Sequence, residues 1–213
     1  MKSGLKSGRI IKVVEMTTIF IALPVLYYFN LLPGHKSLPL LVVFIYCLIW
    51  LFQNKKFGRK KMGIKYYTVW KKMFIRIVFI GILIYGTTYF LRPDLLFNLP
   101  KNEIKLWIMI MIFYPIWSAF PQELIYRCFF FERYADIFPD KRIMISLNIL
   151  LFSFLHIIFR NPIAVIGSLI VGTLWAITYQ RNQSLLAVSI EHAIIGDLVY
   201  TFGLGYYFYV PDF

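Results

Sequence analysis

Apolar runs about as long as a bilayer is thick recur along this chain, and they decide what it can fold into. They cover residues 13–28, 38–52, 73–91, 104–131, 143–159, 163–179 and 185–204. A helix rising 1.5 Å per residue needs about 20 apolar residues to cross a hydrocarbon core of about 30 Å. Lipid offers no partner to an exposed backbone N–H or C=O, so runs that cross it must be helical or close into a barrel. The reading is an all-α polytopic membrane protein of about seven (six to eight) transmembrane helices. Composition agrees: 60% of residues are apolar and 15% charged, against roughly 45–50% and 25% in soluble domains. The expectation is a single integral membrane domain over 1–213, with N-terminal spans in 1–102 and a functional core in 103–205. No internal repeat is visible.

The net charge of +13 is unevenly spread. Lys2, Lys6, Arg9 and Lys12 precede the first run, and Lys55, Lys56, Arg59, Lys60, Lys61, Lys65, Lys71 and Lys72 fill one loop. Between apolar runs such charge fixes orientation and meets anionic lipid, so the 55–72 loop is assigned to anionic lipid and not to nucleic acid. The basic loops at 54–72, 132–142 and 180–183 fall on the side of the N-terminus, which places that terminus in the cytoplasm. No small-residue cleavage site follows the first run, so it reads as a retained helix and not a signal peptide. Cys47 and Cys128 both lie in apolar runs and offer neither a disulfide framework nor a thiolate metal site. His35, in the short 32–37 loop, reads as a solvated side chain.

Ionisable groups inside three late runs carry the functional signal. Each costs about 2.5–3.5 kcal/mol at a membrane-helix centre when unpaired. The fourth run holds Gln122, Glu123 and Arg127, with Glu123 and Arg127 at i and i+4 on one helix face. Pro121 just before them removes a backbone donor and frees a carbonyl one turn earlier. The fifth run holds Phe152 and His156, one turn apart; the seventh holds Glu191, His192, Gly196 and Asp197. Counted from the cytoplasmic ends, Glu123, His156 and His192 all fall at roughly 15–18 Å depth. One shared, hydrated pocket is the cheapest way to keep them in lipid. Such a pocket suits chemistry on a substrate that is itself in the membrane.

In chain order, Gln122-Glu123-x-x-x-Arg127, Phe152-x-x-x-His156 and His192-x-x-x-Gly196 resemble the CPBP family. That family comprises CAAX prenyl endopeptidases and bacteriocin-processing or self-immunity proteins, its members being glutamic intramembrane proteases. The resemblance covers about residues 115–205 and implies a CAAX-protease-like bundle in a cell membrane, the inner membrane if the chain is bacterial. It implies hydrolysis of a peptide bond in a membrane-anchored protein or peptide, a C-terminal sorting signal being one candidate, without cofactor or metal. The family pattern is Glu-Glu-x-x-x-Arg, Phe-x-x-x-His and His-x-x-x-Asn. Its first Glu and the His of the second motif activate water, while its last His and Asn steady the oxyanion. Here Gln122 replaces the first Glu, and Gly196 stands at the Asn position. Gln accepts no proton at neutral pH, so the base assignment does not transfer. The expected roles are Glu123 with His156 on the water, His192 and the Gln122 amide on the oxyanion, and Arg127 holding Glu123. Three alternatives stay open. Glu123, His156 and His192 could ligate zinc. The chain could be a non-catalytic immunity or peptide-binding protein of the same fold. Buried Glu, Arg and His also build the proton relays of transporters.

Overall fold

The computed structural model describes residues 2–32, 37–55 and 67–208. Most of the basic loop (56–66) and His35 lie outside the described residues. Among the described residues there is no strand. The chain runs through α1 (Lys2–Thr17), a π-helical turn (Thr18–Ala22), α2 (Leu23–Tyr28), α3 (Ser37–Gln53) and α4 (Tyr67–Leu91). Short α5 (Asn98–Asn102) leads to α6 (Ile104–Tyr114), a π turn (Pro115–Ala119), α7 (Phe120–Glu123), a second π turn (Leu124–Phe129) and α8 (Phe130–Arg133). Then come α9 (Lys141–Leu155), a 3-10 turn (His156–Phe159), α10 (Pro162–Asn182), α11 (Leu185–Thr201) and a closing 3-10 turn (Leu204–Phe208).

Among the described residues, five helical stretches are long and apolar enough to cross a membrane: Gly8–Tyr28, Trp70–Leu91, Ile104–Arg133, Lys141–Phe159 and Pro162–Asn182, with Leu38–Gln53 a shorter apolar helix. The last expected run is α11, of 17 residues. Phe74, Phe79, Ile82 and Phe90 are among many large apolar side chains left exposed. Water would not tolerate such surface on a monomer, but lipid does. The chain is an integral membrane helical bundle.

The helix ends follow local rules. Asp140 caps α9 by accepting from Arg142 N at 2.8 Å, and Ser184 caps α11 by accepting from Ala187 N at 3.2 Å. Pro162 opens α10, where its missing N–H costs nothing, and Asn161 Oδ1 accepts from Ala164 N at 2.9 Å. The two π turns of the fourth run flank Pro121. A proline leaves a carbonyl one turn back without its donor, and wider turns absorb the mismatch.

The fold divides into two compact units, each here taken by itself. One comprises Met1–Phe57 and Leu124–Ile177. Its core is aromatic. Phe20, carried on the first π turn and fully buried, meets Tyr126 and Phe130 edge-on at 5.0 and 5.4 Å. Buried Cys47 and Leu51 belong to the α3 part of that core, and Cys47 and Cys128 are both free thiols. Polar ties hold α1 to the 133–137 segment. Glu15 accepts from Arg133 at 2.7 and 2.9 Å and from the Tyr46 and Tyr134 hydroxyls at 2.8 Å. Lys12 grips Asp136 at 2.7 Å, and Arg9 donates to the Ile137 carbonyl at 2.6 Å.

The hydrogen bond from Lys12 holds the Asp136 carboxyl below its ordinary range. A depressed carboxylate stabilises the fold above its unfolded value of about 3.9, and that contribution fades as pH falls through the lower folded value. Asp136 is mostly exposed, so its share is under about 1 kcal/mol. Accordingly, Asp136→Asn should lower the unfolding midpoint slightly at pH 7 and not at all at pH 2, as read by thermal melts in detergent.

The other unit comprises Gly58–Glu123 and Thr178–Pro211. Here α11 packs on α4, on α6 and on the Pro115–Ala119 turn. Trp107 Nε1 donates to Thr201 Oγ1 at 3.0 Å, which pins α6 to the end of α11. Gly203, at φ +104°, lies against the Leu95 carbonyl, where an added Cβ would sit 2.2 Å from that oxygen. Only glycine fits that corner.

Candidate functional site

In the second unit, α11 carries His192 to the end of α7, where Glu123 sits. His192 Nδ1 lies 2.9 Å from Glu123 Oε1. Glu123 is wholly buried and His192 is 4% exposed, so the pair is out of solvent. A carboxylate oxygen only accepts, so Nδ1 carries a proton. Gln122 precedes Glu123. Its Nε2 donates to Ser118 Oγ at 2.8 Å, and its Oε1 is buried with no hydrogen-bond partner among the described residues.

The flanks of His192 are occupied in a definite way. Both oxygens of Glu191 accept from Arg76 of α4, each at 2.7 Å, and Arg76 also donates to Thr178 Oγ1 at 2.9 Å. Glu191 is fully buried, so this two-point pair is what makes it tolerable there. Gly196, one turn beyond His192, lies under the Tyr114 ring: a Cβ would fall 2.1 Å from Tyr114 Cε1. The same ring meets the His192 imidazole edge-on, 6.0 Å between centroids. Tyr114 thus fills the space that a side chain at 196 would need. Asp197 Oδ1 is buried without a hydrogen-bond partner among the described residues.

The first unit holds Arg127 and His156. Arg127 is fully buried. It donates to Asn148 Oδ1 and, at 3.2 Å, to the Gly172 carbonyl, and its guanidinium lies 4.8 Å from the centre of the Phe152 ring. Asn148 Nδ2 in turn donates to the Tyr126 carbonyl at 2.6 Å. Gly172 lets Phe152 come this close, since a Cβ there would sit 2.6 Å from the ring. The phenylalanine of the second motif is therefore a platform for the arginine of the first. Asn148→Leu, of similar volume, should cost about 1.5–3 kcal/mol because a buried cation loses an acceptor. Chemical unfolding in detergent would measure it.

His156 is not inside a regular helix as the 143–159 run implied. It is the C-cap of α9 and begins the 3-10 turn that ends at Phe159. The chain turns sharply there, with Arg160 left-handed at φ 56°, ahead of Asn161 and Pro162. His156 Nδ1 lies 2.9 Å from the Phe152 carbonyl. That oxygen also only accepts, so the Nδ1–H donates.

The structure thus joins Glu123 to His192, and sets Arg127 and His156 about Phe152. Arg76, Tyr114 and Asn148 are absent from the residues singled out in the sequence. The zinc reading needs three ligands gathered together; among the described residues no group of three or more His, Cys, Asp or Glu is placed to hold a metal ion.

Residues 104–196 match the family model described as Rce1-like, type II CAAX prenyl endopeptidase Rce1-like. The chain matches no curated protein and no solved structure. The matched segment contains Gln122, Glu123, Arg127, His156 and His192. Over this segment the chain is similar to that family of CAAX-type endopeptidases.

Proposed function

We propose that this chain is an intramembrane endopeptidase that hydrolyses a peptide bond of a membrane-associated protein or peptide. The observation that carries the reading is the buried hydrogen bond between Glu123 and His192. Amide hydrolysis needs a base for the water, a donor for the oxyanion and an acid for the leaving amine. Glu123 orients a water and removes its proton, a step to which the second motif also assigns His156. The hydroxide adds to the carbonyl carbon. His192 is the donor to the oxyanion through Nε2, a role that requires a proton there as well as on Nδ1. The second N–H of Gln122 is the other donor. When the C–N bond breaks, the proton taken from water passes to the amine. Arg127 fixes the helix that carries the acid. His156 enters this scheme on its motif.

The basic 55–72 loop would lie at the cytoplasmic face on anionic lipid, with the N-terminus on the same side, in the inner membrane if the chain is bacterial. Termini of membrane and secreted proteins compared between cells with the native chain and cells with Glu123→Gln or His156→Ala test the reading. A terminus present only with the native chain is expected; native processing by either variant ends the proposal. Gln122 favours one second reading, a peptide-binding or immunity protein that does not cut. A chain that cleaves nothing until Gln122→Glu is introduced would establish it.

A further inference from the structure

Glu191 is next to His192 in the chain and fully buried, in the same compact unit as Glu123. Two acids near one imidazole in a low-dielectric interior would compete for its charge. The structure commits Glu191 elsewhere: both its oxygens face the Arg76 fork at 2.7 Å, and that fork is anchored on Thr178. Arg76 stands on α4, ahead of the matched segment 104–196, and no part of the family match assigns it a role.

We propose that Arg76 is a positioning residue for the Glu123–His192 pair: by neutralising Glu191 it leaves Glu123 as the one carboxylate that governs the imidazole. The inference rests on the protease reading. It acts through charge, so its consequences differ from those of a plain structural tie. Arg76→Gln leaves an unbalanced Glu191 and should lower kcat/KM at least tenfold. The double substitution Arg76→Gln with Glu191→Gln removes the stray charge as well and should return kcat/KM to within about threefold of the native chain. Arg76→Lys keeps the charge without the planar fork and should fall between native and Arg76→Gln.

Rates are compared per folded protein, with unfolding midpoints measured alongside. Proteins labelled with 15N-histidine in detergent give a second readout, the His192 resonances being assigned by their loss in His192→Ala. The Nδ1 signal should shift in Arg76→Gln and return in the double variant, which a stability effect alone would not produce. If Arg76→Gln does not fold, the double variant still decides: native-like cleavage and an unshifted Nδ1 signal support the proposal. An inactive, folded double variant overturns it, as does native activity in Arg76→Gln while Glu123→Gln is dead. Native cleavage by Glu123→Gln fails the protease reading itself, separately from Arg76.

Discussion

Glu123→Gln should reduce cleavage by roughly 10²–10⁴-fold, the usual worth of a positioned acid–base group, while leaving the bundle folded. The amide oxygen of glutamine still accepts from His192 Nδ1, so the 2.9 Å contact survives in kind. On the proposed mechanism, the carboxylate that would draw a proton from water is lost. Glutamine is nearly the same size, so a buried position with no accessible surface is not overpacked. Cleavage of a native substrate in proteoliposomes, with an unfolding midpoint for the same preparation, measures both parts. Cleavage at the native rate would exclude Glu123 from the chemistry, whatever the geometry.

Gly196→Asn, which restores the residue usual in the family's third motif, should impair this chain instead of improving it. Its Cβ would fall 2.1 Å from Tyr114 Cε1 and 2.5 Å from the Tyr114 hydroxyl oxygen. No real Cβ contact is that short, so the ring must swing or α11 must move away. Forcing volume into a packed site costs about 1–3 kcal/mol. The displacement also falls on the ring that meets His192, so activity should drop with stability. Adding Tyr114→Ala to Gly196→Asn should recover the unfolding midpoint by emptying the space. A Gly196→Asn chain as stable as its parent with Tyr114 in place would show that the ring is free to leave.

The bundle was legible because bilayer-length apolar runs have few other uses. Glu123, Arg127, His156 and His192 stood out because a charge in such a run needs a reason. The same criterion reaches Arg76, a cation inside the 73–91 run that the sequence reading passed over; the fully buried Glu191 is its counterpart. Asn148 had a weaker signature. It shares a face with Phe152 and His156 at i, i+4 and i+8, which is visible only once His156 is already suspected. Tyr114 had none. One tyrosine among 15 does not announce that it fills the gap left by Gly196, because that is a matter of how helices approach each other. The π turns around Pro121 were foreshadowed by a lost backbone donor, but their extent follows from side-chain packing. The 3-10 turn that begins at His156 depends on where the chain must reverse before Pro162.

Close approach of Phe152 to the Gly172 backbone has a consequence for how this protein varies among its relatives. Wherever an aromatic ring is retained at 152 to support the guanidinium, residue 172 has no freedom to grow, and the two sites should drift only as a matched pair. A lineage that acquired alanine or serine at 172 would be expected to carry a slimmer residue opposite, and to have found another way to seat its arginine.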